Sequence, residues 1–233
     1  MRDTAGLGRW WSSLYRVFNG IARGMAARSR EPVVVLGAGG HAKVVIATLR
    51  SVGETVVAIL DDDPTTWGRE LLGVPVRGEM AALADHGNRA VIAVGSNTAR
   101  AAIAAKFPAV AWVTVVHSSA VIAEGVRLGP GTVVFAGAVI QPDTVLGAHV
   151  ILNTLASVDH DCVVEAFCHL APGVRLAGDV RIGRGAFLGI GAAVIPGRRI
   201  GAAAVIGAGA VVVRDVEAGA TVVGVPARPQ RNP

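Results

Sequence analysis

Every sixth residue from Val116 to Val212 is valine, isoleucine or leucine, seventeen positions in one unbroken phase. The series begins Val116, Ile122, Leu128, Val134 and Ile140. Four residues after each stands a small or β-branched residue, as at Ala120, Val126, Thr132, Ala138 and Thr144, with Arg198 the one exception. A helix repeats at about 3.6 residues and a strand at 2, so neither holds a period of six for about a hundred residues. Three hexads make one coil of a parallel β-helix, and that is the architecture the period predicts. The aliphatic position should fill the interior, with the small one beside it and glycines at the corners. Thirty glycines and only ten aromatic residues suit a scaffold of many tight turns. A solenoid needs caps. The preceding domain is expected to cover one end. Arg214-Asp215-Val216 should break the last coil, and Gly224-Val225-Pro226-Ala227-Arg228 should lead off into a tail.

The chain before the repeat is patterned differently. Pro32-Val33-Val34-Val35-Leu36 is an apolar run of buried-strand type, followed at once by Gly37-Ala38-Gly39-Gly40-His41, and Ala42 to Leu49 reads as a helix. Thr55 to Leu60 is a second strand, ending in Asp61-Asp62-Asp63-Pro64. A polar stretch and a helix near Met80 to His86 follow. Ala90 to Val94 is a third strand, ending in Gly95-Ser96-Asn97. This alternation implies a small parallel, Rossmann-like sheet with helices on its faces, an α/β domain whose ligands bind beyond the carboxyl ends of the strands. The glycine loop, the Asp61–Asp63 run and the Gly95–Asn97 turn all lie there. Gly37-x-Gly39-x-x-Ala42 with Asp61 downstream formally fits a dinucleotide fingerprint. The span 31–115 is nevertheless short for a complete dinucleotide-binding domain plus a catalytic one. We read the loop as a site for a phosphorylated or nucleotide-bearing small molecule, because glycines let the backbone approach a phosphate at a helix N-terminus. The expected division is an extension over 1–30, the α/β domain over 31–115, the β-helix over 116–217 and a tail over 218–233.

The formal net charge of +5 is confined to residues 1–30, where Arg2, Arg9, Arg16, Arg23, Arg28 and Arg30 outnumber Asp3; the rest is neutral. A nucleic-acid binder needs a basic face on its folded part, so nucleic acid is not an expected partner. Within the extension, Trp10, Leu14, Val17, Phe18, Ile21 and Met25 recur at helical spacing, with Arg9, Arg16 and Arg23 off that stripe. One reading is an amphipathic helix making weak contact with an anionic membrane surface through residues 9–25. The others are a docking helix or a loose extension. No run of 18 apolar residues predicts a membrane-spanning helix, two cysteines cannot build a disulfide framework, and nothing reads as a secretory signal. The expected location is the cytoplasm, with a peripheral place at the inner face of the membrane if the extension binds lipid.

Polar residues that interrupt the repeat gather in one stretch: Asn153, Asp159, His160, Asp161, Cys162, Glu165, Cys168 and His169. A metal reading would draw on His117, His149, His160 and His169, but their spacings of 32, 11 and 9 recreate no ligand motif, so no metal is expected. Cys162 and Cys168 both occupy the small-residue slot, which favours buried packing thiols over redox chemistry. Acid–base chemistry fits best. His160 lies near a corner, flanked by Asp159 and Asp161, and an imidazole beside a carboxylate is held in one tautomer and made more basic.

These residues carry a family resemblance. The repeat resembles the left-handed β-helix acyltransferases, a handedness that periodicity alone does not supply. Gly37–His41 before the repeat, Val158-Asp159-His160-Asp161-Cys162 within it, His169 nine residues on and the Gly224–Arg228 ending together resemble the nucleotide-sugar N-acetyltransferases. These are the bacillosamine- and perosamine-type enzymes of the sialic-acid O-acetyltransferase-like family. The resemblance implies acetyl-CoA as co-substrate and N-acetylation of a nucleotide-linked 4-amino-4,6-dideoxy sugar. It implies His160 as general base, with Asp161 raising its basicity. It puts His169, Ile190 and Ala208 along the coenzyme, and Gly39, Gly40, His41, Asp61, Asp62 and Gly95 on the nucleotide sugar. It further implies a homotrimer with active sites between neighbouring β-helices. The rivals are O-acetylation of a sialic-acid-like sugar, a non-catalytic trimer that binds a nucleotide sugar, and an NAD-dependent oxidoreductase prompted by the glycine spacing.

Overall fold

The computed structural model describes residues 31–230, so the amphipathic stripe from Trp10 to Met25 lies outside the described residues. The described chain opens with β1 (Val33–Leu36), α1 (Gly40–Ser51) and β2 (Val56–Leu60), close to the limits the apolar runs set. β3 (Glu70–Leu71) and β4 (Val74–Gly78) then form a hairpin in the stretch expected to be merely polar. Two features hid it. Its turn is Leu72-Gly73, both at positive φ, and Leu is an unusual residue for such a turn. β4 also carries Pro75 between its two inward valines, Val74 and Val76, and Arg77 after them. A 3₁₀ turn at Met80–Ala82 leads into α2 (Leu83–His86), followed by β5 (Arg89–Ile92), α3 (Asn97–Lys106) and β6 (Ala111–Trp112). The strand order is β3-β4-β2-β1-β5-β6, parallel except at the β3–β4 edge. β1 is central and wholly buried, as its unbroken Val-Val-Val-Leu run requires.

From Val115 the chain winds into a left-handed parallel β-helix whose two-residue strands pair with the strand 18 residues on, as Val133 with Ile151 and Ile151 with His169. The first face runs through Val115, Val133, Ile151, His169 and Phe187; the second through Val121, Val139, Ser157 and Arg175; the third through Arg127, Val145, Val163 and Arg181. From Val134 onward every sixth-residue aliphatic is buried, and so is every small residue four positions later except Arg198. That slot also explains the cysteines. Thr132 and Thr144 donate from Oγ1 to the carbonyls of Gly147 and Asp159, and the thiols of Cys162 and Cys168 make the same inner contact with Ala177 and Gly183. Burial pushes the two thiols up to about 11 and about 12, which leaves them inert packing groups at neutral pH.

Two expectations about the ends change. The sheet domain does not cover the end of the solenoid. α1 lies on its side, where Ala42, Val45, Ile46 and Leu49 share one core with Val115, Val133, Phe135 and Ile151. An amphipathic helix needs a broad apolar face, which the outward valines and isoleucine of the first face supply; Val121 and Ile122 in the first coil stay exposed. At the other end the break at Arg214-Asp215-Val216 shortens the coil: Ile200 bridges Val216, which keeps its inward slot, and Asp215 accepts from the Arg199 N–H. The Gly224–Arg228 segment then folds back instead of leading away. Thr221–Val223 pairs antiparallel with Arg228–Pro229, and Val211 exchanges hydrogen bonds with Gly224 and Ala227 across the top.

Candidate active site

The glycine loop joins β1 to α1 at the carboxyl edge of the sheet. Gly37 has φ +110°, and a Cβ there would fall 2.8 Å from Val94 Cγ2, so only glycine lets the ends of β1 and β5 close together. Gly39 and Gly40 have open space where a side chain would stand. Gly39 caps α1 with no side-chain hydrogen bond, and the first turn carries no acidic residue. The result is a bare helix N-terminus with positive dipole and unscreened N–H groups, suited to an anion.

The two predicted carboxylates do different work. Asp61 is spent on backbone: Oδ2 accepts from the Ala38 N–H at 2.6 Å and Oδ1 from the Asp63 N–H at 2.8 Å. It thereby shapes the glycine loop, and the Trp67 indole N–H closes the same turn on the Asp61 carbonyl. Asp62 points elsewhere, accepting from the Met80 N–H, with Lys106 at 3.7 Å.

His41, in the first turn of α1, meets the β-helix. Its ring lies edge-on to Phe135 at 5.3 Å and 6.2 Å from the ring of His169. His41 Nε2 is buried without a hydrogen-bond partner among the described residues. His169, on the first face, donates from Nδ1 to the Gly95 carbonyl at 3.2 Å, since a carbonyl can only accept. Its Nε2 accepts from Asn153 Nδ2 at 3.2 Å; the amide orientation follows from Asn153 Oδ1, which takes the Thr154 N–H. Burial lowers both His41 and His169 to about 4, with repulsion from His169 and then Arg100 added at His41, and from Arg100 at His169, where the bond to Gly95 opposes the shift; both imidazoles are neutral at pH 7. Thus His41, Gly95 and His169 come together, although they are scattered over the sequence.

Ile190 and Ala208 occupy the corner that follows the first face, one coil apart, and both are exposed. A Cβ at Gly189 would strike the Ala208 backbone at 2.6 Å, so glycine allows these coils to stack closely, while Gly191 and Gly209 open on free space.

His160 and Asp161 are elsewhere. They form the turn between the second and third faces, the corner opposite the first face and therefore across the prism from His169. His160 Nδ1 bonds Asp161 Oδ2 at 2.8 Å, and its N–H is held by Asp159 Oδ1. That hydrogen bond to Asp161, with the charges of Asp159, Asp161 and Asp179, raises the imidazole above its ordinary value. The exposed ring lies over Gly178 of the next coil, where a Cβ would come within 2.6 Å of it. Asp161 is at φ +59°, and its N–H bonds the Pro142 carbonyl of the coil below, which offsets the strain.

Three residues bind the two halves, and of these the sequence singled out only Asn97, in the turn after the third strand. Asn97 donates to the Gly185 and Ala186 carbonyls. Arg100 is buried against the corner at His149 and Phe167, and Phe135 fills the space beneath α1. The helix Asn97–Lys106 was not among the elements expected from the sequence, and an arginine ordinarily reads as a solvated side chain, so no local signal marked it.

Residues 32–107 match the PglD N-terminal domain family. A perosamine N-acetyltransferase from Caulobacter crescentus, a His-to-Asn variant with CoA and GDP-perosamine, is 47% identical with a TM-score of 0.83, over 86% of this chain and 97% of that one. The acetyltransferase domain of PglB from Neisseria gonorrhoeae, solved with acetyl coenzyme A, is 37% identical with a TM-score of 0.81, over 86% of this chain and 100% of that one. WeeI from Acinetobacter baumannii is 28% identical with a TM-score of 0.77, over 85% and 99%. No curated protein matches the chain.

Proposed function

The chain belongs to the nucleotide-sugar N-acetyltransferases, and from that premise we propose that its substrate is a GDP-linked 4-amino-4,6-dideoxy sugar of the perosamine kind. Acetyl-CoA is the acyl donor and a nucleotide-linked amine the acceptor. The 47% identity to an enzyme crystallised with GDP-perosamine supports the nucleotide and the sugar. The reading is carried by the meeting, at the Gly95 carbonyl, of the glycine-loop edge of the sheet with the His169 corner of the β-helix. The diphosphate lies on the bare N-terminus of α1 at Gly39 and Gly40. His41 offers its unpartnered Nε2 to the sugar nucleotide, Gly95 lines the same cleft, and Asp61 and Asp62 act by holding the loops around it. The coenzyme runs along the corner past His169, Ile190 and Ala208.

In the reaction the neutral sugar amine attacks the thioester carbonyl. His160 takes the amine proton as the C–N bond forms and returns it to the departing thiolate, while Asp161 stabilises the imidazolium. Backbone N–H groups at the coil corners donate to the tetrahedral oxyanion. No acyl-enzyme is needed, because holding both substrates in one groove removes most of the entropic barrier. His160 lies across the prism from His41 and His169, so it serves the sugar held by a neighbouring copy. That placement supports a homotrimer with its sites between adjacent β-helices. A cytoplasmic setting, with the basic extension in weak contact with the inner membrane face, completes the proposal; among the described residues no helix is long and apolar enough to cross a membrane.

Free-thiol release from acetyl-CoA tests the function against a panel of GDP-, UDP- and dTDP-linked amino and hydroxy sugars. Release is expected with amino sugars and fastest with GDP-perosamine. Release with hydroxy sugars alone would mean O-acetylation, and nucleotide-sugar binding without release would mean a scaffold. His41→Ala and Asp61→Ala should each raise the KM for the nucleotide sugar roughly tenfold, about the value of one hydrogen bond in a desolvated site, with the KM for acetyl-CoA nearly unchanged. Equal effects on both constants would place these residues in the wrong pocket.

A further inference from the structure

Arg100 is 1% exposed, and among the described residues its guanidinium has no carboxylate partner. Nε donates to the His149 carbonyl at 2.9 Å. Nη1 donates to Val94 at 3.0 Å and Gly95 at 3.2 Å, and Nη2 to Phe167 at 2.8 Å, Cys168 at 3.2 Å and Asn97 Oδ1 at 2.8 Å. All five N–H donors are used, on acceptors from the end of the sheet and from two successive coils of the β-helix. Burying a charge without a counter-charge is costly, and an apolar side chain of similar volume would join the two halves at least as well. What an apolar side chain cannot do is fix the direction of several carbonyls. One of these carbonyls, that of Gly95, is shared with His169.

We propose that Arg100 is a positioning residue that aims the Gly95 carbonyl at His169 Nδ1 and so locks His169 in the tautomer whose Nε2 accepts from Asn153. The sugar-side loop and the coenzyme-side imidazole are thereby set by one guanidinium. Asn97 completes the device, accepting from Arg100 while its amide holds the next coil at Gly185 and Ala186. The proposal rests on the reading of Gly95 and His169 as parts of the active site.

The test is the imidazole ¹⁵N spectrum of the full-length protein, labelled at histidine and assigned with His169→Ala, together with kinetics. In the wild type at pH 7, His169 should carry its proton on Nδ1 with Nε2 bare. Arg100→Lys keeps the charge but reaches fewer carbonyls; it should show both tautomers, and kcat/KM should fall about 10²-fold, the scale of a small misplacement in a reacting site. Because Arg100 acts through His169, Arg100→Lys combined with His169→Ala should be no slower than His169→Ala alone. A wild-type His169 protonated on Nε2, an unchanged tautomer in Arg100→Lys, or additive losses in the double variant would each overturn the proposal; additivity is what a merely structural tie predicts. Should Arg100→Lys fail to fold, Asn97→Ala removes one guanidinium acceptor and must give the same spectral change. Wild-type kinetics in His169→Ala would sink the site reading itself, while the tautomer comparison would still decide what Arg100 does.

Discussion

Replacing His160 by alanine is expected to lower kcat by roughly 10²–10⁴-fold, the usual effect of removing a positioned general base, in a protein that still folds. The side chain stands on an exposed corner, and the interior of its hexad is filled by Val158 and Cys162. Asp161→Asn should do less. The hydrogen bond that His160 donates to Asp161 raises the His160 pKa, so its loss lets that pKa fall, and the acidic limb of the kcat/KM profile should move to lower pH. Gly178→Ala supplies a check that leaves the imidazole itself intact: the new Cβ would fall 2.6 Å from the ring and displace it. Thiol release measured on the three variants decides the matter. A folded His160→Ala protein with undiminished acetyl transfer would end the mechanism, whatever its fold.

The second large effect is on stability in acid. His41, His149 and His169 are each held near 4, chiefly by burial and next by the positive charge of neighbouring groups, Arg100 among them. The unfolded chain binds protons at these sites below about 6.5, whereas the folded chain refuses them until about 4. The folded state therefore has its full stability above that window and loses it as the pH falls from 6.5 towards 4. Between pH 7 and pH 5 each imidazole accounts for about 2 kcal/mol, and the three together for about 6 kcal/mol, a large part of a typical folding free energy. Urea unfolding at pH 7, 6 and 5 measures it. His149→Phe should remove about a third of the slope and cost little at pH 7, because the ring stacks on Phe167 at 5.1 Å and its Nδ1 is buried without a partner among the described residues. Stability that does not change between pH 7 and 5 would contradict the burial of these rings.

The local chemistry of both loops was legible. A glycine run after an apolar strand can only be a tight turn into a helix, and His160 between two aspartates announces a tuned imidazole wherever it lies. The β3–β4 hairpin was not legible, since Pro75 and Leu72-Gly73 obscure its strand and turn signals. Neither was the side-on docking of the sheet domain. The residue before each interior position is apolar on the first face at Val115, Val133 and Ile151, but it is also apolar at Val121 and Val145 on the others. An outward valine looks alike in sequence whether it meets solvent or a helix.

The sequence by itself determined the β-helix, because a six-residue period repeated seventeen times satisfies only a coil of three short strands, and backbone geometry then dictates which residues turn inward. It also determined the small parallel sheet and the family to which the chain is similar. Only the tertiary structure decided that His41, Gly95 and His169 meet and that His160 stands on the opposite corner. Periodicity says which way a residue points from its own coil and nothing about which distant segment packs there. Arg100 is the sharpest case. On a ten-residue helix an arginine is ordinarily solvated, and it became the centre of the interdomain contact only because docking brought the carbonyls of His149, Phe167 and Cys168 within reach of its five donors.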